Sequence, residues 1–373
     1  MQNEKLKIAI IGHKQFPSRT GGIEVVVEEL ATRLAAMGDN VVCYDRYELD
    51  KTRHYPTGEY KSVKIKLCPT LSNSKINAML ASLTGTIKLL FYHPDVAHYH
   101  AIGPCAMIFL PHLFGIHTVA TIHGLDWQRG KWGKFASTYL QFGEKMAVKY
   151  ADDMIVLSED MQKYFKDKYG RDTILIQNGI TPIPEQTPDL IKKEYGLNTD
   201  NYILYLGRIV PEKKVDKLVD AYLKLHTDKK LVIAGTFDDG EYCRKIKEKI
   251  DGNPNIITPG FVDGKILEEL YTNAYVFVLP SDVEGCSIAL LEAMSCGSRI
   301  LVSDIYENKI MIGKFGHTFA VNDEKDFEKK LNEILMENTP HRNEEEVEYV
   351  KEKYDWDKVA EKTREVYLKK RCQ

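Results

Sequence analysis

The amino-acid sequence predicts an α/β protein built from two doubly wound domains, each a parallel β-sheet covered by helices. The chain has 373 residues, which is too long for one ordinary hydrophobic core and favours about two domains. Short runs that are apolar on both faces alternate with helical segments almost from end to end, as a buried parallel sheet requires. A segment with three prolines in eight residues, 181–188, interrupts this alternation near the middle.

The first half of the chain supplies seven predicted strands and three longer helices. Residues 96–125 contain no Lys, Arg, Asp or Glu and could be mistaken for a membrane span. Their five histidines, two prolines and three glycines instead predict a buried strand, a short helix over 104–114 and another strand. The predicted strands are 7–11, 41–44, 63–67, 96–99, 118–122, 154–157 and 174–176, and the helices are 23–36, 76–91 and 135–150.

The proline-rich segment predicts the linker between a domain over 1–183 and a domain over 184–353, because its prolines exclude a helix or a central strand. We expect the last segment, 354–373, to pack back on the N-terminal domain as a helix. A break is predicted at 354–356, and the two domains are expected to face each other across a cleft. The strands predicted after the linker are 202–206, 231–234, 256–257, 276–279 and 300–302.

The net charge of −3 predicts no nucleic-acid partner. Residues 1–185 carry +3 and the remainder −6, and residues 51–150 hold 12 basic against 4 acidic side chains. This basic region is a candidate surface for anionic lipid or a phosphorylated substrate, with ordinary surface variation as an equal alternative. The seven cysteines share no CxxC spacing and no signal-peptide pattern precedes the first strand, so the sequence predicts reduced thiols in the cytoplasm.

Ligands of open parallel sheets bind at the carboxyl ends of the strands, where two glycines are the first candidates. Gly21 and Gly22 open the predicted helix 23–36, so backbone N–H groups there could approach an anion. The spacing is not GxGxxG, which argues against a nicotinamide or flavin dinucleotide. A glycine needed only for turn geometry stays an alternative.

Three histidines, His13, His100 and His123, each follow a strand of the first domain. If those strands are neighbours, the imidazoles converge on one edge of the sheet. A histidine aimed at a polar ligand is favoured over a metal site, because no carboxylate spacing completes a ligand set, and no metal is predicted. His98, on the same strand face as His100, is interpreted as a core residue.

The second domain carries the charged residues that are candidates for ligand binding. Arg208 and Lys213 lie around a strand-to-helix turn and suit two cations that clamp a diphosphate, although each could equally be solvated surface. Glu284 lies in the loop after strand 276–279, and residues 287–296 form a helix whose first N–H groups make an anion site. Glu292 lies inside that helix and needs partners, either the vicinal hydroxyls of a ribose or an internal Arg or Lys.

These residues carry a family resemblance. Glu284 and Glu292, preceded by Arg208 and Lys213 at their offsets, resemble the retaining nucleotide-sugar glycosyltransferases of family 4, which have the GT-B fold. The similarity covers nearly the whole chain, and the N-terminal half also resembles a domain of bacterial polysaccharide glycosyltransferases, including rhamnosyltransferases. Other motifs that fall where the family has related ones are Gly21-Gly22-Ile23-Glu24, Thr121-Ile122-His123-Gly124, Asn178-Gly179, Gly207-Arg208 and Tyr354-x-Trp356.

The resemblance implies a role for each candidate. Arg208 and Lys213 would hold the donor diphosphate and stabilise it as it leaves, and Glu284 would bind hydroxyls of the transferred sugar. Glu292 would bind the ribose, and His123 would contact the donor sugar from the opposite domain. The remaining implied donor contacts are backbone groups of Gly21, Gly22, Gly285, Cys286, Ser287 and Ile288.

Some positions depart from the family's usual pattern. Lys214 stands where a glycine is common, Cys286 where a larger apolar residue is frequent, and Ser298-Arg299 where a proline-containing pair is usual. Cys286 leaves the identity of the donor sugar open. The one Asp-x-Asp of the sequence, Asp355-Trp356-Asp357, is interpreted as helix capping and not as a metal site.

The resemblance therefore implies a retaining, metal-independent hexosyltransferase without a cofactor. The expected donor is a UDP-sugar or dTDP-rhamnose, and the expected acceptor is a saccharide, lipid-linked, in bacterial surface polysaccharide synthesis. A nucleotide-sugar epimerase or phosphorylase on the same fold, and a non-catalytic sugar-nucleotide-binding protein, stay open as alternatives. The inner face of the cell membrane is an expected location, and the candidate contact with anionic lipid is the basic, aromatic stretch 127–139, with Arg129, Lys131, Trp132, Lys134 and Phe135.

Overall fold

The structure, a computed structural model, describes residues 5–51, 57–73, 76–125, 127, 134–337 and 341–369. The chain divides into two compact units, one of Met1–Asn178 with Trp356–Gln373 and one of Gly179–Asp355. The first segment of unit one ends at Asn178, just before the predicted linker 181–188. Residues 181–188 form neither helix nor strand. Each unit is a sheet covered by helices, so the predicted α/β class with two doubly wound domains is confirmed.

The first unit contains an eight-stranded sheet. Its strands are β1 Lys7–Ile11, β2 Asn40–Glu48, β3 Gly58–Tyr60, β4 Val63–Thr70, β5 Val96–His100, β6 His117–Ile122, β7 Asp153–Val156 and β8 Ile174–Leu175. Their order is β3-β4-β2-β1-β5-β6-β7-β8, and all pairs are parallel except β3 with β4. The edge strand β3 was not predicted, because its three partly exposed residues lack an apolar pattern.

Helices cover both faces of this sheet. They are α1 Gly22–Ala36, α2 Asn77–Tyr92, α3 Phe109–Leu113, α4 Lys134–Tyr150 and α5 Glu159–Tyr169. The single helix predicted over 104–114 is wrong, since a 3-10 helix at Pro104–Met107 precedes a separate α3. A continuous α-helix would need an N–H at Pro111, which proline lacks. Among the described residues, no helix is both long and apolar enough to cross a membrane.

The second unit contains a six-stranded sheet that is parallel throughout, in the order β11-β10-β9-β12-β13-β14. Its strands are β9 Tyr202–Leu206, β10 Lys230–Ala234, β11 Ile256–Gly260, β12 Val276–Leu279, β13 Arg299–Ser303 and β14 His317–Phe319. The edge strand β14 was not predicted, because it has only three residues. The helices are α6 Leu190–Tyr195, α7 Val215–Lys224, α8 Glu241–Ile250, α9 Gly264–Asn273, α10 Ile288–Ser295, α11 Tyr306–Ile312, α12 Glu324–Leu335 and α13 Glu344–Lys353.

The last helix, α14 (Trp356–Leu368), belongs to the first unit and packs on α1. Arg364 donates two hydrogen bonds to the Asp39 carboxylate, at 2.8 and 3.1 Å. The Tyr367 hydroxyl lies 2.6 Å from Nδ1 of His98, which is fully buried. The interpretation of His98 as a core residue is therefore confirmed, and its ring helps to hold α14.

The Asp-x-Asp segment lies where α14 begins. Asp357 accepts a hydrogen bond from Nε of Arg33 in α1 at 2.7 Å, so its carboxylate joins two helices. Asp355 precedes the helix, and its backbone pairs with Ile180 as an isolated bridge. Asp357 therefore serves the packing of α14 on α1, and the interpretation of the segment as helix capping stays a prediction.

A close approach of two backbones shapes the carboxyl edge of the first sheet. Gly12 follows β1 with φ +123°, and a Cβ placed there would lie 2.1 Å from the carbonyl oxygen of His100, at the end of β5. Any side chain would therefore force the two neighbouring strands apart. Glycine at this position lets the residues after β1 and β5 share one edge.

We expect Gly12→Ala to lower the free energy of unfolding by roughly 3–5 kcal/mol, because it combines a steric clash with backbone strain. Gly115→Ala is the control, since Gly115 also has a positive φ, +74°, but nothing lies within 4 Å of its Cβ position. The control should lose only about 1–2 kcal/mol. Urea unfolding of the full chain measures both variants, and equal losses would contradict the close-approach argument.

Candidate functional site

The predicted charges of the second unit lie on two loops at one edge of its sheet. β9 ends at Leu206 and leads to Arg208, whereas β12 ends at Leu279 and leads to Glu284. β9 and β12 are paired in parallel, so the loops that follow them start side by side. Residues far apart in the sequence are thereby placed in one region.

The loop after β9 is held from two sides. A Cβ on Gly235, which follows β10, would lie 2.0 Å from the carbonyl oxygen of Gly207, so only glycine fits there. The buried Tyr205 donates its hydroxyl to the carbonyl of Arg208 at 2.8 Å. Burial, together with the nearby Glu284, raises the pKa of Tyr205 well above its usual value, so the hydroxyl keeps its proton. The backbone at Arg208 is therefore fixed.

The Arg208 side chain is the more accessible of the two predicted cations. Its guanidinium is 45% exposed and lies 4.0 Å from Oε1 of Glu212. The Glu212 side chain is buried, and neither carboxylate oxygen has a hydrogen-bond partner in the structure's described part. A long, half-exposed ion pair is weak. Arg208 thus partners the buried Glu212 while about half of its side chain stays accessible to an anionic ligand.

Lys213 and Glu284 form a tighter pair. Lys213 Nζ lies 2.5 Å from Oε1 of Glu284, and the two side chains are only 15% and 8% exposed. Such a charge-assisted hydrogen bond is among the stronger polar contacts, and removal of one partner would leave the other charge buried. The pair joins the two loops across 71 positions of sequence.

Two further contacts tie these loops together. The N–H of Asp282 donates to the carbonyl of Glu212 at 2.9 Å, and Lys214 Nζ lies 2.8 Å from Oδ2 of Asp282. Lys214 has φ +51°, in the left-handed region that favours glycine. This conformation explains why glycine is common at position 214 in the family that this chain resembles. In this chain the ion pair to Asp282 gives the lysine a structural partner there.

The helix α10 begins next to Glu284. Ser287 is its N-cap, and the Ser287 hydroxyl accepts the N–H of Leu290 at 3.4 Å. Helix geometry leaves the N–H groups of Ile288 and Ala289 without an intrahelical acceptor. Together with the helix dipole, they make the start of α10, beside Gly285, a candidate anion site, as the sequence predicts.

Glu292 lies in the second turn of α10 and is buried, with 6% of its surface exposed. Its Oε2 accepts a hydrogen bond from the hydroxyl of Tyr271, in α9, at 2.9 Å. An internal Arg or Lys was the alternative partner predicted from the sequence, and the structure shows that a tyrosine is one partner of this carboxylate. No spacing in the sequence pointed to Tyr271, which is 21 positions away.

The helix α13 packs against α10 and contributes a second buried carboxyl. Glu346 is 1% exposed, and its Oε1 has no hydrogen-bond partner in the described structure. Burial raises the pKa of Glu346 to about 9, so the group is neutral at pH 7.

Tyr354 lies near Cys286, and both side chains are buried. The pKa of Tyr354 is raised above its usual value, mainly by burial and to a smaller extent by the nearby Cys286 thiol. The Tyr354-x-Trp356 motif thus begins near Cys286.

In the first unit, the predicted glycine pair lies at the start of α1. Gly21 is its N-cap, and a Cβ on Gly21 would lie 2.5 Å from Oε2 of Glu24. The other oxygen of Glu24 accepts the N–H of Lys14 at 3.0 Å. A protein carboxylate therefore already lies at this helix N-terminus, where Gly21 and Gly22 were predicted to meet phosphate.

The three predicted histidines converge only in part. His100 Nδ1 lies 3.0 Å from Nε2 of His123, and their rings stack. His13 instead lies 2.8 Å from the buried carboxylate of Asp45, a residue of β2 that the sequence analysis missed. Burial lowers the pKa of His100 well below its usual value and that of His98 to about 3, so both rings are neutral. Within the described ranges, no group of three or more His, Cys, Asp or Glu could hold a metal ion.

Residues 128–133 of the predicted basic, aromatic stretch 127–139 lie outside the described residues, including Arg129, Lys131 and Trp132, as does the side chain of Lys134. Trp127 is described, and its Nε1 donates to the buried carboxylate of Glu144 at 2.6 Å. Phe135 is 67% exposed.

Two family models match the chain in succession. Residues 20–182 match the model described as Glycosyltransferase Family 4. Residues 188–367 match the model described as Glycosyl transferases group 1. The interval between the two matches falls within the predicted linker.

Relatives of known name are similar over much or all of the chain. The alpha-maltose-1-phosphate synthase of Mycolicibacterium smegmatis is 25% identical over 98% of this chain and 99% of its own. The N-acetyl-alpha-D-glucosaminyl L-malate synthase of Bacillus anthracis is 25% identical over 97% of both chains. The putative teichuronic acid biosynthesis glycosyltransferase TuaC of Bacillus subtilis is 27% identical over 62% of this chain and 59% of its own.

Solved structures share the fold. Sucrose-phosphate synthase from Thermosynechococcus elongatus superposes with a TM-score of 0.83 at 20% identity, over 98% of this chain and 99% of its own. Anabaena HepE, solved in complex with UDP and glucose, superposes with a TM-score of 0.78 at 15% identity, over 97% of this chain and 99% of its own. At these identities the likeness establishes the fold alone.

The buried Glu346 predicts a pH-dependent stability. A carboxyl whose pKa rises from 4.5 to about 9 on folding stabilises the fold below pH 4.5, and this contribution declines as the pH rises towards 9. Glu346→Gln should therefore stabilise the protein by roughly 3 kcal/mol at pH 7 and by little at pH 4.5. Thermal melts across this pH range measure the effect. Glu345→Gln, at an exposed neighbour on the same helix, is the control and should change little; a parallel shift of both variants at every pH would contradict the burial argument.

Proposed function

Because this chain belongs to the GT-B glycosyltransferases of family 4 that carry a group 1 domain, we propose that it is a retaining hexosyltransferase. It would move a hexose from a nucleotide sugar to a hydroxyl of a saccharide acceptor. The observation that carries this proposal is the Lys213–Glu284 pair beside Arg208 at the carboxyl edge of the second sheet. A sugar diphosphate offers charge to the two cations and hydroxyls to the carboxylate.

The proposed reaction breaks the bond between the anomeric carbon and the diphosphate oxygen, and forms a bond from that carbon to the acceptor oxygen. The acceptor proton goes to the departing phosphate. Negative charge grows on the diphosphate in the transition state, where Arg208, Lys213 and the first N–H groups of α10 would stabilise it. Glu284 and Glu292 would act as binding groups and not as nucleophiles, so no glycosyl–enzyme intermediate is proposed. Retention would instead follow from attack of the acceptor on the face that the diphosphate leaves.

Glu284 has room for both of its proposed contacts. An ionised carboxylate accepts about four hydrogen bonds, so Glu284 can keep Lys213 and accept a sugar hydroxyl as well. Lys213 is thereby held ready for the diphosphate before the donor arrives. His123 stays a candidate from the family resemblance, and its ring is backed by the buried, neutral His100.

The proposed donor is a UDP-linked hexose, with dTDP-rhamnose as the alternative. Glu292 would share its carboxylate between Tyr271 and the ribose, and two vicinal hydroxyls suit this better than the single one of a deoxyribose. The UDP and glucose bound to HepE support UDP, whereas the N-terminal resemblance to rhamnosyltransferases supports dTDP-rhamnose. A lipid-linked saccharide of a surface polysaccharide is the proposed acceptor, which the teichuronic acid relative supports.

We expect Lys213→Ala to lower kcat about 100-fold or more and to change KM less, because Lys213 acts mainly on charge that develops in the transition state. The assay follows release of nucleoside diphosphate in the presence of acceptor. Lys217→Ala is the matched control, since Lys217 pairs with the exposed Glu324 on the surface. Unchanged turnover in Lys213→Ala would exclude the leaving-group role.

Nucleotide binding tests the donor directly. UDP at about 100 times its Kd should stabilise the protein by about 2.7 kcal/mol, seen as a rise in melting temperature, with dTDP, GDP and ADP compared under the same conditions. The shift should be the same with EDTA as with manganese, because Arg208 and Lys213 supply the positive charge that a divalent ion would. Loss of the shift in EDTA would exclude metal-independent binding.

Sugar transfer itself is tested with the donor that the melting experiment selects. Product from donor plus saccharide acceptor, with the anomeric configuration of the donor by NMR, is the expected result. Conversion of the donor without any acceptor would point to an epimerase. Binding without turnover would point to a sugar-nucleotide-binding protein.

A further inference from the structure

Exposed aromatic side chains gather on one face of the first unit. The helices α2, α3 and α4 cover the same side of its sheet, because Leu89, Ile108 and Leu140 join one buried cluster there. Of the five exposed phenylalanines among the described residues, four lie on these helices or at their ends: Phe91, Phe114, Phe135 and Phe142.

Helical spacing directs the apolar side chains of α2 outward. Ala81, Gly85 and Leu89 recur every four residues and face the sheet. Ile87 and Phe91, also four apart, lie on the opposite side and are 44% and 86% exposed. The outer surface of α2 is therefore apolar, where a helix that faces only water would be polar.

The end of α3 extends this apolar surface. α2 leads into β5 and α3 leads into β6, and these two strands are paired in parallel, so both helices end at the same edge of the sheet. α2 and α3 are also in contact. Leu113 and Phe114, at the end of α3, are 69% and 63% exposed.

The outer stripe of α4 combines aromatic rings with lysines. Phe135 and Phe142 are seven residues apart and lie on one side of the helix, and Phe142 is 45% exposed. Lys145 and Lys149 continue the same stripe and are exposed. Lys88 supplies a further exposed cation on α2.

Acidic side chains are nearly missing from α2, α3 and α4, whereas α5, whose Met161 and Phe165 join the same buried cluster, carries Glu159, Asp160 and Asp167. α2, α3 and α4 contain one between them, Glu144, which is fully buried and whose charge is met by Lys168 at 3.0 Å. The outer surface of α2, α3 and α4 therefore combines exposed apolar side chains with lysines, and the described part of these helices exposes no carboxylate.

We propose that the outer face of α2, α3 and α4 docks on the surface of an anionic lipid bilayer. Its aromatic and aliphatic side chains would enter the boundary between headgroups and acyl chains, and its lysines would pair with anionic headgroups. Charge complementarity is the reason for choosing this occupant, since an exposed apolar patch ringed by cations matches an anionic membrane. The inference goes beyond sugar transfer and does not require it, and it places the contact on described helices outside the stretch 128–133.

Sedimentation of the full chain with lipid vesicles tests this surface without any turnover. At physiological salt, the protein should bind vesicles of phosphatidylcholine mixed with phosphatidylglycerol at least about tenfold more tightly than phosphatidylcholine alone. Phe91→Ser with Phe142→Ser, and separately Lys88→Glu with Lys145→Glu, should each weaken binding to the mixed vesicles about tenfold or more. If the phenylalanine variant does not fold, the lysine variant alone carries the test.

Matched controls lie in the second unit. Phe261→Ser removes another exposed phenylalanine, 47% exposed, and Lys325→Glu reverses another exposed lysine, and both should bind like the parent. Equal binding of all variants, or no binding to anionic vesicles, would overturn the proposal. A concentration-dependent dimer that the α2 and α4 variants abolish, without vesicle binding, would overturn it in favour of a contact between copies.

Discussion

Parallel pairing is the constraint on which the rest of this structure depends. Neighbouring parallel strands end at one edge, so the chain that leaves one strand must pass the end of the next at van der Waals distance. In the first unit, Gly12 makes this possible beside His100, and in the second unit Gly235 makes it possible beside Gly207. Because these backbones can approach, side chains that follow different strands meet at the edge where parallel sheets bind their ligands.

The charges at the edge of the second sheet differ in how firmly they are held. Lys213 is paired with Glu284 in a mostly buried hydrogen bond, whereas Arg208 is half-exposed and only loosely paired. A group that is held in advance stabilises developing charge without reorganisation, and a loosely held one can follow a ligand as it binds. Arg208 and Lys213 are close in sequence, yet burial and ion pairing constrain their side chains to different degrees.

The two faces of the first sheet are covered by helices that differ in what their outer sides contact. On one face α1 receives α14, through the Arg364–Asp39 ion pair and the Tyr367–His98 hydrogen bond. On the other face, α2, α3 and α4 present rings and lysines to the exterior. Packing against the sheet constrains only the residues on the inner side of each helix, so the residues on the outer side can suit a binding partner.

Local patterns account for what the sequence by itself determined. The alternation of strands and helices, the two doubly wound domains and the position of the linker were predicted from spacing and residue type. The family was predicted from a resemblance that Arg208, Lys213, Glu284 and Glu292 carry. Short edge strands such as β3 and β14 were missed, because three partly exposed residues carry no periodic signal.

Only the tertiary structure decided which groups are partners. Tyr271 holds Glu292, Asp45 holds His13, and Glu24 lies against Gly21, where phosphate had been predicted. Tyr271 and Asp45 lie on other helices or strands than the residues they contact. Even for the nearby Glu24, the contact with Gly21 depends on the side-chain conformation of the glutamate. Hydrogen bonds form between atoms that the fold brings together, and neither residue type nor periodicity records which distant segments will meet.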